Sequence, residues 1–338
     1  MMKRTIFTLI SSLVVASASI AVDSAPKSKL FTAFAMTKAQ QASSLPTDSG
    51  IFVQGPGDSK WGRIGPVIQA MNSMASDPSD PTKIFIACGN GIVRSLDNGA
   101  TWRMVTGWRE SDFTKIAIDP ENGDNVYAAS VWGVSLSRDG GESWQAANKG
   151  LKEQYSRCVI VDERNTKRVL LGTDDGVYVS RDRGESWSAI RNSPKSNILR
   201  MARSEADLDL WIAGTEGEGV FLSRNDGKTW ESVSDELSEN NVYAVALHPN
   251  SASIMAAGGW DAGVWISDDG GKTWRDRSAG LPSKNVTAMA YDPIRTDRLW
   301  VSTFEEGTYF SDDLGATWKD GNLYGAYVLD MDVIPVTD

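Results

Sequence analysis

Ser137-Arg138-Asp139-Gly140-Gly141-Glu142-Ser143-Trp144 is the stretch that decides the fold of this 338-residue chain. Its pattern, Ser-x-Asp-x-Gly-x-Thr/Ser-Trp, recurs in copies beginning at Ser95, Ser137, Ser180, Ser223, Ser267 and Ser311. Successive copies lie 42, 43, 43, 44 and 44 residues apart. That period suits a four-stranded propeller blade and exceeds that of most helical repeats. Each slot fits a tight hairpin turn. Asp97, Asp139, Asp182, Asp269 and Asp313, with Asn225 in the fourth copy, can accept backbone N–H groups. The glycine two positions later supplies a positive φ without steric cost. Trp102, Trp144, Trp187, Trp230, Trp274 and Trp318 then open the next strand with an apolar plate whose indole N–H needs a partner. Each is expected to pin its hairpin to the blade.

Working outward from the octet, one period divides into an inner strand Phe113–Ile118, a second Asn125–Ser130, a third Gly133–Ser137 and an outer strand from Trp144 onward. Third strands begin again at Gly91, Gly176, Gly219, Gly263 and Gly307. A degenerate copy, Gly50 to Trp61, precedes the first good octet, and Leu30–Met36 fits the strand before it. Tyr327–Pro335 matches an inner strand and has no blade of its own. The expected fold is all-β: a seven-bladed β-propeller of four-stranded antiparallel blades, closed by pairing the C-terminal inner strand with the N-terminal strands. Such closure removes the exposed sheet edges of an open array.

On these octets the chain resembles the Asp-box (BNR) repeat propellers, over roughly residues 50 to 338. That family includes sialidases, xyloglucanase-type hydrolases, sortilin-type receptors and photosystem II assembly factors. The resemblance implies the propeller fold and leaves the activity open, because one fold hosts many functions. Similarity to the assembly factors implies a single exported propeller that docks a partner on one face. Similarity to xyloglucanases implies a glycoside hydrolase with paired carboxylates, built as a cleft between two propellers, whereas this chain has one. The sialidase Arg-Ile-Pro signature is interrupted here, at Arg63-Ile64-Gly65-Pro66.

Residues 1–21 have the pattern of a secretory signal: a basic start at Lys3 and Arg4, an apolar run from Thr5 to Ala16, and small residues for cleavage between Ala18 and Ala21. Residues 22–338 are then a single propeller expected outside the cytoplasm, periplasmic or extracellular, without an integral membrane segment and monomeric. The formal charge of −10 becomes −12 once Lys3 and Arg4 are lost, which argues against nucleic acid as a partner. Cys88 and Cys158 fall two blades apart and are expected as free buried thiols. His248 is the only histidine and stands where Asp119 and Asp292 stand in other blades, so a turn role is expected. Histidine-based triads and multi-histidine zinc sites then lack support. No catalytic residue, metal or cofactor is expected.

In this strand order the octet turns share a rim with the first-to-second turns, while second-to-third turns and interblade loops share the opposite rim. The latter is rich in aromatic and acidic residues. Candidate ligand-binding residues there are Trp108, Arg109, Trp132, Tyr155, Arg157, Asp174, Asp175, Glu216, Trp260, Asp261, Phe304, Glu305 and Tyr324, with Arg200 in the channel mouth. Rings interleaved with acids suit a polysaccharide or a protein segment laid across the ring. Gly-flanked acids also serve as ordinary turn residues, whereas an exposed tryptophan has no such use. Ser73, Lys115, Cys158, Arg200, Ala244, Ala288 and Asp330 share one level of the channel. Two readings of that level stand: a salt-linked plug, or an anion-recognising centre with Arg157 beside it.

Overall fold

The computed structural model describes residues 27–35, 49–68, 70–233, 235–325 and 327–336. The expected signal, residues 1–21, and Met36 at the end of the expected N-terminal strand lie outside the described residues. The described residues form seven four-stranded antiparallel sheets and no helix. Blade 1 has the order Tyr327–Val336, Lys27–Ala35, Gly50–Gln54, Gly62–Ile64. Blades 2 to 7 follow in sequence, with inner strands Met71–Ser76, Phe113–Ile118, Ser156–Val161, Ile198–Arg203, Ala244–Leu247 and Val286–Tyr291. The ring closes as expected: Leu30 pairs with Val333 and Ala33 with Asp330, and the C-terminal strand packs between the inner strands of blades 7 and 2.

The core lies between the blades. Every residue of the second strands Ile84–Cys88, Val126–Ser130, Val169–Thr173, Trp211–Thr215, Met255–Gly259 and Leu299–Thr303 is buried. Both faces of these strands are covered by neighbouring sheets, so they carry continuous apolar runs instead of alternation. One cluster joins Val134 and Leu136 of blade 3 to Val159, Val169 and Leu171 of blade 4. The two-residue outer strands, such as Arg103–Met104 and Ser188–Ala189, are exposed.

The octet turns show why serine heads the pattern. Its hydroxyl accepts the glycine N–H four residues later, at 2.8 Å for Gly99, 2.8 Å for Gly141 and 2.7 Å for Gly184. The same hydroxyl donates to the aspartate, which in turn accepts the N–H and hydroxyl of the following Thr or Ser; Asp139 takes these from Ser143 at 2.9 and 2.6 Å. The glycines adopt φ of +71° to +87°. The tryptophans depart from expectation. Trp187, Trp274 and Trp318 donate across the interface to carbonyls of the preceding blade, those of Ala147, Val233 and Arg277. Trp61 of the degenerate copy does the same to Gly321 at 2.9 Å, on the closing seam. The plate therefore pins one blade to the next, while Trp102 bonds within its own turn to Gly99.

At the ends of the inner strands an acid accepts the N–H two residues on: Asp119 from Glu121, Asp162 from Arg164, Asp292 from Ile294. His248 substitutes for that acid, its Nδ1 accepting from Asn250 at 3.1 Å. Cys88 and Cys158 are buried and unpaired, and burial pushes their thiols up to about 12 and about 11.

Candidate functional site

The meander of each blade sends its second-to-third turn and its interblade loop to the rim opposite the octets. A recurring backbone bond welds the two. The N–H of Val131, Asp174, Glu216, Trp260 and Phe304 donates to the carbonyl just ahead of the inner strand, that of Asp112, Tyr155, Asn197, Asn241 and Asn285, at 2.8 to 3.3 Å. The loops on this rim are thereby held as a fixed platform.

Inner strands open with a bulge, visible as a register shift between Met71 and Ser73, Phe113 and Lys115, Ser156 and Cys158, Ile198 and Arg200, and Val286 and Ala288. A bulge bends the strand and re-aims the extra residue. Two bulged residues stitch neighbouring blades: Asn72 donates to the Phe113 carbonyl at 2.5 Å and Thr114 to that of Ser156 at 2.7 Å. The next in line is Arg157. Its Nε is buried without a hydrogen-bond partner, and its guanidinium stacks 5.1 Å from the Tyr155 ring.

Beside Arg157 stands an aromatic group contributed by three blades. Trp260 meets Phe304 edge-on at 5.1 Å, and Phe304 meets Tyr327 at 5.5 Å. Burial raises the Tyr327 phenol, which lies within electrostatic reach of Tyr243, Arg157 and Tyr155. Tyr243, absent from the expected set, occupies the position ahead of Ala244 that corresponds to Arg157; aligning inner strands one residue earlier was the signal that could have found it. Trp108 is 85 % exposed with the Arg109 guanidinium 4.8 Å from its ring centre, and Trp132 is 62 % exposed. Neither makes a ring contact with the Trp260 group among the described residues, so the rings form a central group and two outlying plates. Tyr324 is also exposed, its hydroxyl bonded to Asp320.

The acids divide by environment. One oxygen of Asp174 is buried without a partner, and burial, with the charges of Glu153 and Asp175, raises its carboxyl. Asp175 accepts from the Tyr178 hydroxyl at 3.2 Å and lies 3.6 Å from Lys152. Glu216 accepts from Asn197 at 3.1 Å. Asp261 and Glu305 sit in turns flanking the Trp260–Phe304 contact, at positive φ of 57° and 62°.

Arg200 lies deeper than expected for a ligand contact. Its guanidinium and the Lys115 ammonium, the latter at 2.6 Å, both bond Asp330 across the channel. Burial alone would raise Asp330, but the two cations outweigh it and hold the carboxyl at about 2. Of the two readings of this level, the geometry is that of the salt-linked plug. The three plug residues line a cavity of about 410 Å³ together with Ile160, Ala246, Ala290, Met331, Asp332 and Glu205. Among the described residues no group of three or more His, Cys, Asp or Glu side chains is placed to hold a metal.

A model of the Sortilin-Vps10 family (sortilin, neurotensin receptor 3) matches residues 218–326, and a BNR/Asp-box repeat model matches residues 178–189. No curated protein matches the chain in sequence. Among solved structures, it is similar to the GH74 enzyme of Niastella koreensis, at 19 % identity and a TM-score of 0.68, over 80 % of this chain and 50 % of that one. The GH74 xyloglucanase of Xanthomonas campestris gives 19 % and 0.61, over 74 % and 45 %. YCF48 bound to D1 peptide gives 17 % and 0.59, over 80 % and 94 %. At these identities the likeness is one of fold. The chain spans about half the length of the two GH74 enzymes.

Proposed function

We propose, from the premise that this chain is a seven-bladed β-propeller built on Asp-box repeats, that it is an exported, monomeric binding or assembly protein that docks its partner on the loop-rich rim. The observation that carries this reading is the exposure there of Trp108, Trp132 and Trp260 on a backbone-welded platform. Exposed apolar patches mark interaction sites, and tryptophan is enriched among the residues that carry binding energy where it is buried on complex formation. That YCF48, a propeller of nearly the same extent, is known bound to a peptide supports a polypeptide over a sugar polymer. Changing all three tryptophans to Ala is expected to abolish retention on peptide arrays and on polysaccharide affinity gels while leaving the melting temperature in place. Retention that survives the triple change counts against the rim as the site. Export is checked by fractionation: residues 1–21 are expected to be absent from the mature chain, and a cytoplasmic, unprocessed chain contradicts it.

A second reading, a glycoside hydrolase, is favoured by Asp174, whose raised carboxyl is the kind of group that serves as a general acid. Release of reducing sugar from xyloglucan that disappears in Asp174→Asn would establish it over docking.

A further inference from the structure

The rim's chemistry also points to what docks. Its described second-to-third turns, at 89–90, 131–132, 174–175, 216–218, 260–262 and 304–306, hold Asp174, Asp175, Glu216, Glu218, Asp261, Glu305 and Glu306, and not one Lys or Arg. The interblade loops of the same rim do carry cations, Lys152 lying 3.6 Å from Asp175 and Lys284 4.0 Å from Asp276. The opposite rim pairs its charges more closely. There Arg94 pairs with Glu142 at 2.5 Å, Arg138 with Glu185 at 3.0 Å, and Arg168 with Asp162 at 2.6 Å.

The aromatic plates of the loop-rich rim already show which groups they accept. Arg109 lies over Trp108 and Arg157 over Tyr155, the guanidinium carbons 4.8 and 5.1 Å from the ring centroids. That geometry is an attractive cation–π contact. Trp132 and Trp260 have no cation over them among the described residues, although Trp260 is 44 % exposed and is followed directly by Asp261. Its Phe304 neighbour, 5.1 Å away, is followed by Glu305 and Glu306.

We propose that the Trp260–Phe304 corner, with the exposed Asp261 and Glu306 in the two turns that carry these rings, seats an arginine or lysine side chain of a partner polypeptide. The ring takes the flat of the cation and the carboxylates take its N–H groups. Acidic turns on the neighbouring blades extend the same preference along a basic segment. The inference rests on the docking reading and narrows it from any polymer to a cationic polypeptide.

The probe is a capped hexapeptide of alternating glycine and arginine, set against a twin in which citrulline replaces each arginine and one in which glutamate does. Binding is measured by fluorescence anisotropy on the whole chain at low salt. The arginine peptide is expected to bind at least about tenfold tighter than the citrulline twin, a difference in keeping with charge-assisted hydrogen bonding, and to weaken as salt screens the pairs. Trp260→Ala is expected to weaken it about fivefold, the magnitude of a cation–π contact. Asp261→Asn with Glu306→Gln should weaken the arginine peptide and leave the citrulline twin unchanged. Absent binding of the arginine peptide, or equal binding by its citrulline twin, overturns the cationic occupant. A glutamate peptide bound more tightly, and through Trp260, overturns it as well while keeping the docking rim. Binding of any of these peptides that is indifferent to the Trp108, Trp132 and Trp260 changes contradicts the docking reading itself.

Discussion

The two rims of the ring are made from the same repeat and spend their side chains in opposite ways. On the octet rim the polar side chains of the repeat are committed: serine to a glycine N–H, aspartate to the residue four along, arginine to the acid or carbonyl of the next blade. On the loop-rich rim the backbone welds the loops, and the rings of Trp108, Trp132, Trp260 and Tyr324 are left exposed. Stability is thus concentrated where the pattern is strict, and recognition where it varies. Changes on the first rim should cost folding, and changes on the second should cost binding.

The largest expected effect lies on the octet side. Asp162 is buried and accepts from Arg168 at 2.6 Å and Arg203 at 2.7 Å; Asp162→Ala takes the acid from the buried side chain of Arg203, while Arg168 keeps Asp226 at 2.9 Å. Loss of one partner of a buried pair costs about 3–5 kcal/mol, and denaturant unfolding should show a loss of that size. A neutral outcome would erase the contrast. Next comes Ser180→Ala, which leaves the buried Gly184 N–H without its acceptor, at a cost of about 1–3 kcal/mol. Smaller still is the acid limb of the stability profile. Hydrogen bonds from Ser143 and from Thr317 hold Asp139 and Asp313 at about 2, below their unfolded value. A depressed folded pKa adds stability that is complete above about pH 4 and drains as pH falls toward 2. Asp139→Asn should flatten that limb, as read by thermal melts across pH. Smallest on stability, within about 0.5 kcal/mol, should be Trp108→Ala and Trp132→Ala, whose rings lie in solvent. A larger loss would mean these plates support the fold.

Blade number, strand order and ring closure were legible because an octet with fixed glycine and aspartate slots specifies a turn locally, and six turns at one spacing leave one topology. His248 was legible for the same reason, since it stands in an aspartate's slot and does an aspartate's work. The reach of Trp187 to Ala147 was not, because it depends on how closely the preceding blade lies and not on its own turn. Nor were the bulges, which arise from register between strands. The exposed plates could be assigned to a rim from the meander alone. Arg200 could be placed at its level, but only the positions of Lys115 and Asp330 across the channel show it held in a plug.

A photo-crosslinking amino acid placed at Trp132 or Trp260, and separately at Glu142 or Glu185 on the octet rim, tests the division of labour directly in the native host. Adducts to a partner polypeptide from the first two positions, with none from the second two, are what this structure predicts. Adducts from the octet positions alone would contradict it.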